Sequence, residues 1–322
     1  MDKDLYYSLV LDKYLEEKNL SSEQMQLLEE AEKYFIEKSK KNMGIGMLSV
    51  GYVFVKDNQD VWGEYAKIEN FLNEFVEQYA KKKGFSKQDF TLEFINYGRT
   101  ELVYVLTNKS SEEKVTILAK QPVVEFGKVK QEAENLKRLK LVDKNVVAPT
   151  DYYSNGEQEL YVTPYINQAR CVASDRKWGM YVPEPFYRFD DFTDAQESVV
   201  NTCMIAKLVS LYDFEKGQGV ACCKLGGGDF MLPKGWETKN LSVNNTLESL
   251  YLISAREMLN CSFEEYLNIL RAEFSRSTIE ENQDDLLINL RGRVAMNIKD
   301  IEQGINLGKE IIKNRENQEK GQ

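Results

Sequence analysis

Apolar and polar positions alternate in short runs through the first half of the chain. Three of these runs are separated by polar turns: Phe90–Ile95, Leu102–Thr107 and Val115–Ala119. Their length, spacing and turn residues predict an antiparallel meander. Lys120 follows the third run, and Pro122 has no N–H with which to continue a ladder. The pattern therefore predicts a lysine at a strand end.

The next segment changes to a helical period. From Phe126 to Leu141, apolar residues recur at the spacing of one helix face: Val129, Ala133, Leu136 and Leu139. Glu132 lies about one turn before Leu136, near the line of that face. We therefore expect a helix whose glutamate can face the lysine at the strand end.

Two further strands are predicted after this helix, Val146–Tyr153 and Glu159–Tyr165. The turn between them, Ser154-Asn155-Gly156, contains the Asn-Gly pair that is a strong signal for a hairpin. The segment from Phe90 to Tyr165 thus predicts strand, strand, strand, helix, strand, strand.

The flanking segments are mostly helical in pattern. Before the sheet the pattern predicts three helices and one short strand: Asp4–Lys18, Ser22–Lys41, Glu64–Lys83, and the strand Leu48–Val55. After the sheet it predicts four helices, with Ser262 and Glu265 forming a capping box before the third: Asp194–Tyr212, Leu247–Asn260, Tyr266–Ser275 and Leu286–Arg315.

Composition narrows the functional classes. The 322 residues include 42 basic and 52 acidic side chains, and the net charge of −10 argues against nucleic-acid binding, which requires basic side chains at phosphates. No apolar run approaches the roughly 20 residues of a membrane span, and Met1-Asp2-Lys3-Asp4 lacks the layout of a signal peptide. We expect a soluble cytoplasmic protein without a membrane partner.

The chain contains no histidine, which removes the commonest general base and metal ligand and every Ser-His or Cys-His pair. Its five cysteines have no paired spacing of the kind that zinc sites use, so buried reduced thiols are expected. Any chemistry must depend on carboxylates, lysines, or a bound nucleotide and metal.

The order of the central elements resembles the N-terminal lobe of the protein-kinase-like fold, most closely its aminoglycoside and choline phosphotransferase branch. That branch shares the Glu-Ala-and-Leu helix pattern of Gln131-Glu132-Ala133-Glu134-Asn135-Leu136. The resemblance implies a two-lobed α+β fold: a helical extension at 1–85, an antiparallel five-stranded N-lobe at 86–172, and a mostly helical C-lobe at 173–322.

The resemblance also implies a nucleotide site. Lys120 would hold the phosphates of ATP and Glu132 would hold the lysine. The turn at Gly98 would cover the phosphates, and the segment from Thr163 to Tyr165 would be the hinge that faces the adenine. A simpler interpretation of Lys120 and Glu132 is a solvated ion pair that contributes about 0–1 kcal/mol.

The stretch from Gly219 to Leu232 departs from the family pattern of His-Gly-Asp followed by Leu-His-Pro-Gly-Asn. Matching by spacing puts Lys224 in place of the aspartate that receives the substrate proton, and Asp229 in place of the Mg²⁺-binding asparagine. A shifted match makes Asp229 the base but leaves no asparagine at the expected distance downstream. No aspartate follows between Leu232 and Leu252, where a second metal ligand is expected.

These departures suggest a pseudokinase that binds a nucleotide, or a peptide or protein partner, without standard phosphoryl transfer. The alternative is an active ATP-dependent phosphotransferase that uses Asp229 for Mg²⁺ or as the base, with Lys224 contacting an anion. A partner would bind through the cleft or the N-terminal helices. The glycines beside Asp229 are equally well interpreted as a surface turn. Substrate and oligomeric state stay open at this point.

Overall fold

The computed structural model describes most of the chain after residue 60. The described residues are Ser22, 61–97, 101–120, 124–166, 169–173, 186–188, 193–221, 230–233, Trp236, 242–275 and 295–320. Apart from Ser22, the first two predicted helices and the predicted strand Leu48–Val55 lie outside these ranges. The described part is α+β, with six α-helices and a five-stranded antiparallel sheet.

The five-stranded sheet confirms the predicted meander and hairpin. Its strands are β1 (Phe90–Tyr97), β2 (Glu101–Asn108), β3 (Lys114–Lys120), β4 (Asp151–Ser154) and β5 (Glu159–Pro164). Every neighbouring pair is antiparallel, and the order across the sheet is β1-β2-β3-β5-β4. Gly156 in the hairpin turn has φ = +96°, a backbone conformation that glycine adopts without strain.

Helix α1 (Val61–Lys82) covers one face of this sheet. Its buried stripe, which includes Ile68, Leu72 and Phe75, forms one core with apolar residues of β2, β3 and β5. Phe75 packs edge-on against Tyr153 of β4, with ring centroids 4.7 Å apart. The apolar stripe predicted for Glu64–Lys83 is therefore used in the core.

Helix α2 (Lys128–Val142) follows β3, close to the predicted bounds. The predicted strand Val146–Tyr153 is wrong in its first half. Val146 makes only an isolated bridge to Leu252, and β4 begins at Asp151. The four residues before Asp151 include Pro149, which cannot donate to a ladder.

The chain divides into two compact units. The first includes described residues up to Lys130 together with 149–165, and the second includes residues 131–148 and the described residues after Tyr165. Helix α2 begins in the first unit and continues in the second.

Helices α3 (Asp194–Ser210) and α6 (Ile298–Lys320) pack against each other in the second unit. Glycine makes this close approach possible: a Cβ atom on Gly304 would lie 2.6 Å from the Cβ of Ile205, and one on Gly308 would lie 2.5 Å from the Cβ of Val209. Thr193 and Gln196 form a capping box at the start of α3.

The prediction of a helix over Leu247–Asn260 is wrong. A short helix, α4 (Val243–Ser249), is followed by two short strands, β10 (Tyr251–Leu252) and β11 (Met258–Asn260). Three other short strands are β6 (Ala169–Ala173), β7 (Phe186–Arg188) and β9 (Phe230–Pro233), and the four-stranded sheet has the order β10-β9-β6-β7. Strand β8 (Gln218–Val220) pairs with β11. These pairings are non-local, so they overrode the helical spacing of the segment.

Helix α5 (Phe263–Ser275) begins at the predicted capping box. The hydroxyl of Ser262 accepts from the N–H of Glu265, and the carboxylate of Glu265 accepts from the N–H of Ser262 at 2.8 Å. Helix α6 corresponds to the helix predicted at Leu286–Arg315. In the part of the chain described from residue 295 onwards, it begins at Ile298 and continues to Lys320. Among the described helices, none has the length and apolar content to span a membrane.

Candidate functional site

Lys120 is the last residue of β3, as predicted. Only 5% of this lysine is exposed, and its ammonium donates to the carbonyl oxygen of Val124 at 2.9 Å. A carbonyl satisfies one N–H of the ammonium but does not neutralise its charge. Since buried charges are normally compensated by an opposite charge, the carboxylates near Lys120 define the site.

Glu101 is the cross-strand neighbour of Lys120 in the β2–β3 register. Side chains alternate between the faces of a sheet, and the α1 face takes Leu102 and Ala119. Glu101 and Lys120 therefore share the opposite face, and directly opposed residues have Cβ atoms about 4.5–5.5 Å apart. Glu101 is 4% exposed. This glutamate was not predicted as a site residue.

Glu159 lies on the other side of Lys120. Leu160 is the register partner of Ala119, so the next position along β5 brings Glu159 beside the lysine on the same face. The Glu159 carboxylate is fully buried and accepts four hydrogen bonds. The donors are the N–H groups of Gly127 (2.8 Å), Val129 (3.1 Å) and Lys130 (3.3 Å) and the Tyr152 hydroxyl (2.7 Å).

These bonds make Glu159 the cap of helix α2. The first N–H groups of a helix have no intrahelical acceptor, and a negative charge there is favoured by the helix dipole. A carboxylate has about four acceptor sites, so Glu159 is fully engaged by the helix start and by Tyr152. Its role in the first unit is structural.

Glu132 lies in the part of α2 that belongs to the second unit. It is 1% exposed, and its Oε1 accepts from the hydroxyl of Ser254 at 2.6 Å and from the N–H of Ala255 at 3.1 Å. Asn135, three residues later, donates to the carbonyl of Ala255 at 2.8 Å. Helix α2 thus binds the segment after β10 through Glu132, and the predicted pairing of Glu132 with Lys120 stays a prediction.

The predicted hinge lies at the opposite end of β5 from Glu159. Thr163 is buried within the strand and pairs with Thr116 of β3, so it faces the same side of the sheet as Lys120. Tyr165 follows the strand and is 36% exposed, and the ammonium of Lys114 lies 5.5 Å from its ring centroid. The chain therefore leaves the sheet ladder at Tyr165.

Three predicted site residues lie outside the described residues: Gly98, Lys224 and Asp229. The chain enters the Gly98 segment from β1 and leaves it into Glu101 of β2, at the end of the sheet where Lys120 lies. Strand β8 ends at Val220 before Lys224, and β9 begins at Phe230 directly after Asp229.

A second buried lysine, Lys207, lies on α3. Its ammonium is 2.7 Å from the carboxylate of Asp143, and burial lowers its pKa, which the carboxylate partly restores. One turn earlier, burial raises the pKa of the Cys203 thiol to about 12. A thiol with this pKa is protonated at neutral pH and is a poor nucleophile. This part of the second unit is therefore structural.

The described ranges also bear on the presence of a metal site. Within them, no group of three or more Cys, Asp and Glu side chains is arranged to hold a metal ion. Asp229 is the metal ligand implied by the resemblance, and the next aspartate in the sequence is Asp284.

Comparison with models of known protein families gives no match, and comparison with characterised proteins gives no relative. Function is therefore inferred from the geometry around Lys120 and from the order of the elements.

Proposed function

We propose that the chain is a phosphotransferase-like protein of the kinase fold that binds a nucleotide at Lys120 without standard phosphoryl transfer. The observation that carries this proposal is the nearly complete burial of Lys120 at the end of β3. Burying an ammonium is costly. Lys120 lies at the end of the sheet where β1 ends and β2 begins, opposite Glu101.

The sheet supports the assignment of the two ends of a nucleotide. Strands β3 and β5 are hydrogen-bonded neighbours. The strand that ends at Lys120 therefore lies beside the strand that leads into the predicted hinge. Thr116, the partner of Thr163, lies four residues before Lys120, which corresponds to roughly 13 Å along a strand. An extended nucleotide has comparable length, so its base would lie at Thr163 and Tyr165 and its phosphates at Lys120.

The second unit supports the loss of standard transfer. Mg²⁺ in phosphoryl-transfer sites is held by carboxylates, and the sequence has no aspartate from Phe230 to Gln283. In the segment after β10, the hydroxyl of Ser254 donates to Glu132. Ser254 and the N–H of Ala255 are both bonded to Glu132 in this segment. Asp229, directly before β9, is the last aspartate in the sequence before Asp284.

Thermal unfolding with and without Mg-ATP tests nucleotide binding. A ligand at one hundred times its dissociation constant stabilises the native state by about 2.7 kcal/mol. We expect a shift in wild type and in Lys109→Met, a lysine at the other end of the sheet, and its loss in Lys120→Met. No shift in wild type, or an equal shift in Lys120→Met, contradicts the proposal. A shift produced only by peptide ligands favours a partner-binding protein.

The alternative, an active ATP-dependent phosphotransferase, is favoured by the position of Asp229 directly before β9. The test is the double variant Lys224→Asp with Asp229→Asn, which restores the family pattern of the loop. ATP turnover that appears only in this variant supports a decayed transferase. Strong turnover in wild type that disappears in the variant shows that the present residues form a working site and contradicts the proposed lack of transfer.

A further inference from the structure

Glu101 and Lys120 form an opposed pair of buried charges at one end of the first sheet. They are register partners on β2 and β3, and both are at least 95% buried. Residues in this relation on one face have Cβ atoms about 4.5–5.5 Å apart, so a carboxylate and an ammonium on them attract each other strongly.

The other carboxylate beside Lys120 on the sheet is already fully engaged. Glu159 accepts four hydrogen bonds from the start of α2 and from Tyr152. Its negative charge is stabilised by the helix terminus. Because the four bonds hold Glu159 at the helix terminus, we take Glu101 as the strand neighbour whose carboxylate pairs with the lysine.

Glu101 also has the position from which it would meet an incoming anion. It is the first residue of β2, directly after the connection from β1 that contains Gly98. An anion that reaches Lys120 at this end of the sheet comes within reach of the Glu101 carboxylate. Two negative groups in a poorly solvated site repel each other.

We infer that Glu101 is an internal competitor for the anion site at Lys120, a carboxylate that keeps the affinity for polyphosphates low. The inference rests on the proposed nucleotide site at Lys120. It adds a determinant of affinity and specificity: a ligand binds by displacing Glu101 from the lysine, and ligands with fewer negative charges near Glu101 are favoured over triphosphates.

The test measures the affinity of ATP and of inorganic tripolyphosphate by calorimetry for the full chain and two variants. Glu101→Gln keeps the side-chain shape and removes the charge, so we expect both ligands to bind about ten-fold more tightly or better. Glu93→Gln is the matched control. Glu93 lies on β1 on the same face of the sheet, is exposed, and is opposite Val105 instead of the lysine, so the affinity should stay at the wild-type value.

Each result separates this inference from the proposed function. Tighter binding by Glu101→Gln than by wild type, with the wild-type affinity kept in Glu93→Gln, supports the competition. Unchanged or weaker binding in Glu101→Gln, together with loss of binding in Lys120→Met, overturns the competition and leaves the nucleotide site in place. No binding by either wild type or Glu101→Gln overturns both.

Chemical unfolding tests the charge pair without a ligand. If the two groups compensate each other, Glu101→Gln with Lys120→Met unfolds at a higher urea concentration than Lys120→Met alone, because no uncompensated carboxylate stays buried. If the double variant loses as much unfolding free energy as the two single variants together, the two charges do not interact and the inference is overturned.

Discussion

Lys120 in the first unit and Lys207 in the second are both almost completely buried, but their surroundings differ. Lys207 lies in the last turn of α3 and donates to one carboxylate, Asp143, at 2.7 Å. Lys120 lies at a strand end, donates to the carbonyl of Val124, and has Glu101 and Glu159 as neighbours on the adjoining strands.

The difference is the reason why we regard Lys207 as structural and propose that Lys120 binds a ligand. The pair of Lys207 and Asp143 joins α3 to the segment after α2 within the second unit, and its two charges balance. At Lys120 the sheet brings two carboxylates to one ammonium, beside an interstrand connection. Buried charges of this kind cost stability, and a ligand that binds beside them would change their balance.

The largest expected effect comes from a variant that breaks the ion pair of Lys207 and Asp143. Lys207→Met leaves the Asp143 carboxylate without its ammonium, so we expect the free energy of unfolding to fall by about 3 kcal/mol. Urea unfolding measures it. Lys207→Met with Asp143→Asn should be more stable than Lys207→Met alone. A loss below about 1 kcal/mol would show that the pair is a weak surface contact.

The next effect tests the packing that holds α3 in place. Gly304→Ala puts a methyl group 2.6 Å from the Cβ of Ile205 and from the carbonyl of Thr202, and overpacking of this kind costs about 1–3 kcal/mol. Helix propensity alone would make the alanine variant more stable by about 1 kcal/mol. The sign of the change in unfolding free energy therefore shows whether the close packing outweighs propensity. Gln303→Ala on the exposed side is the control. A more stable Gly304→Ala would contradict the close packing.

A third variant examines the carboxylate beside Lys120 that we regard as structural. Glu159→Gln weakens three hydrogen bonds at the start of α2 and one from the Tyr152 hydroxyl, so we expect a loss of about 2 kcal/mol in unfolding free energy. ATP affinity should change less than in Glu101→Gln. Glu157→Gln, an exposed glutamate two residues away, is the control and should be neutral. Equal stability of Glu159→Gln and Glu157→Gln would contradict the role of Glu159 as the helix cap.

The smallest effect is a pH dependence of the second unit. Burial lowers the pKa of Lys207 below its ordinary value of 10.5, so the unfolded chain holds this proton to a higher pH than the folded chain does. Stability therefore rises with pH between the lowered pKa and 10.5. We expect wild type to gain stability relative to Lys207→Met as the pH rises through this interval. A relative loss of stability would contradict the buried, desolvated lysine.

Local patterns predicted the first unit well. Alternation in β1 to β3, the Asn-Gly turn and the proline after Lys120 are all short-range signals, and the observed sheet follows them. The same local periods predicted Lys120 at a strand end and Glu132 near the inward face of its helix, but they did not predict that Lys120 is buried. Sequence alone was sufficient for these strands because each strand carries its own pattern.

Long-range pairings explain what was missed. The register that places Glu101 opposite Lys120 depends on the length of two connections, and no local pattern reveals it. Glu159 is a helix cap from a distant strand, so the usual signal of a polar residue just before the helix is absent. Between Leu247 and Asn260, apolar residues at helical spacing belong instead to β10 and β11, whose partners β9 and β8 come earlier in the chain.

The most direct test of the account compares the two buried lysines in one sample. Lysine side-chain NMR signals of the isotope-labelled protein, assigned with Lys120→Arg and Lys207→Arg, are recorded while ATP is added. We expect the Lys120 signal to move with ATP concentration and the Lys207 signal to stay in place. A Lys120 signal that stays in place at saturating ATP would contradict the claim that its buried ammonium is the anion site.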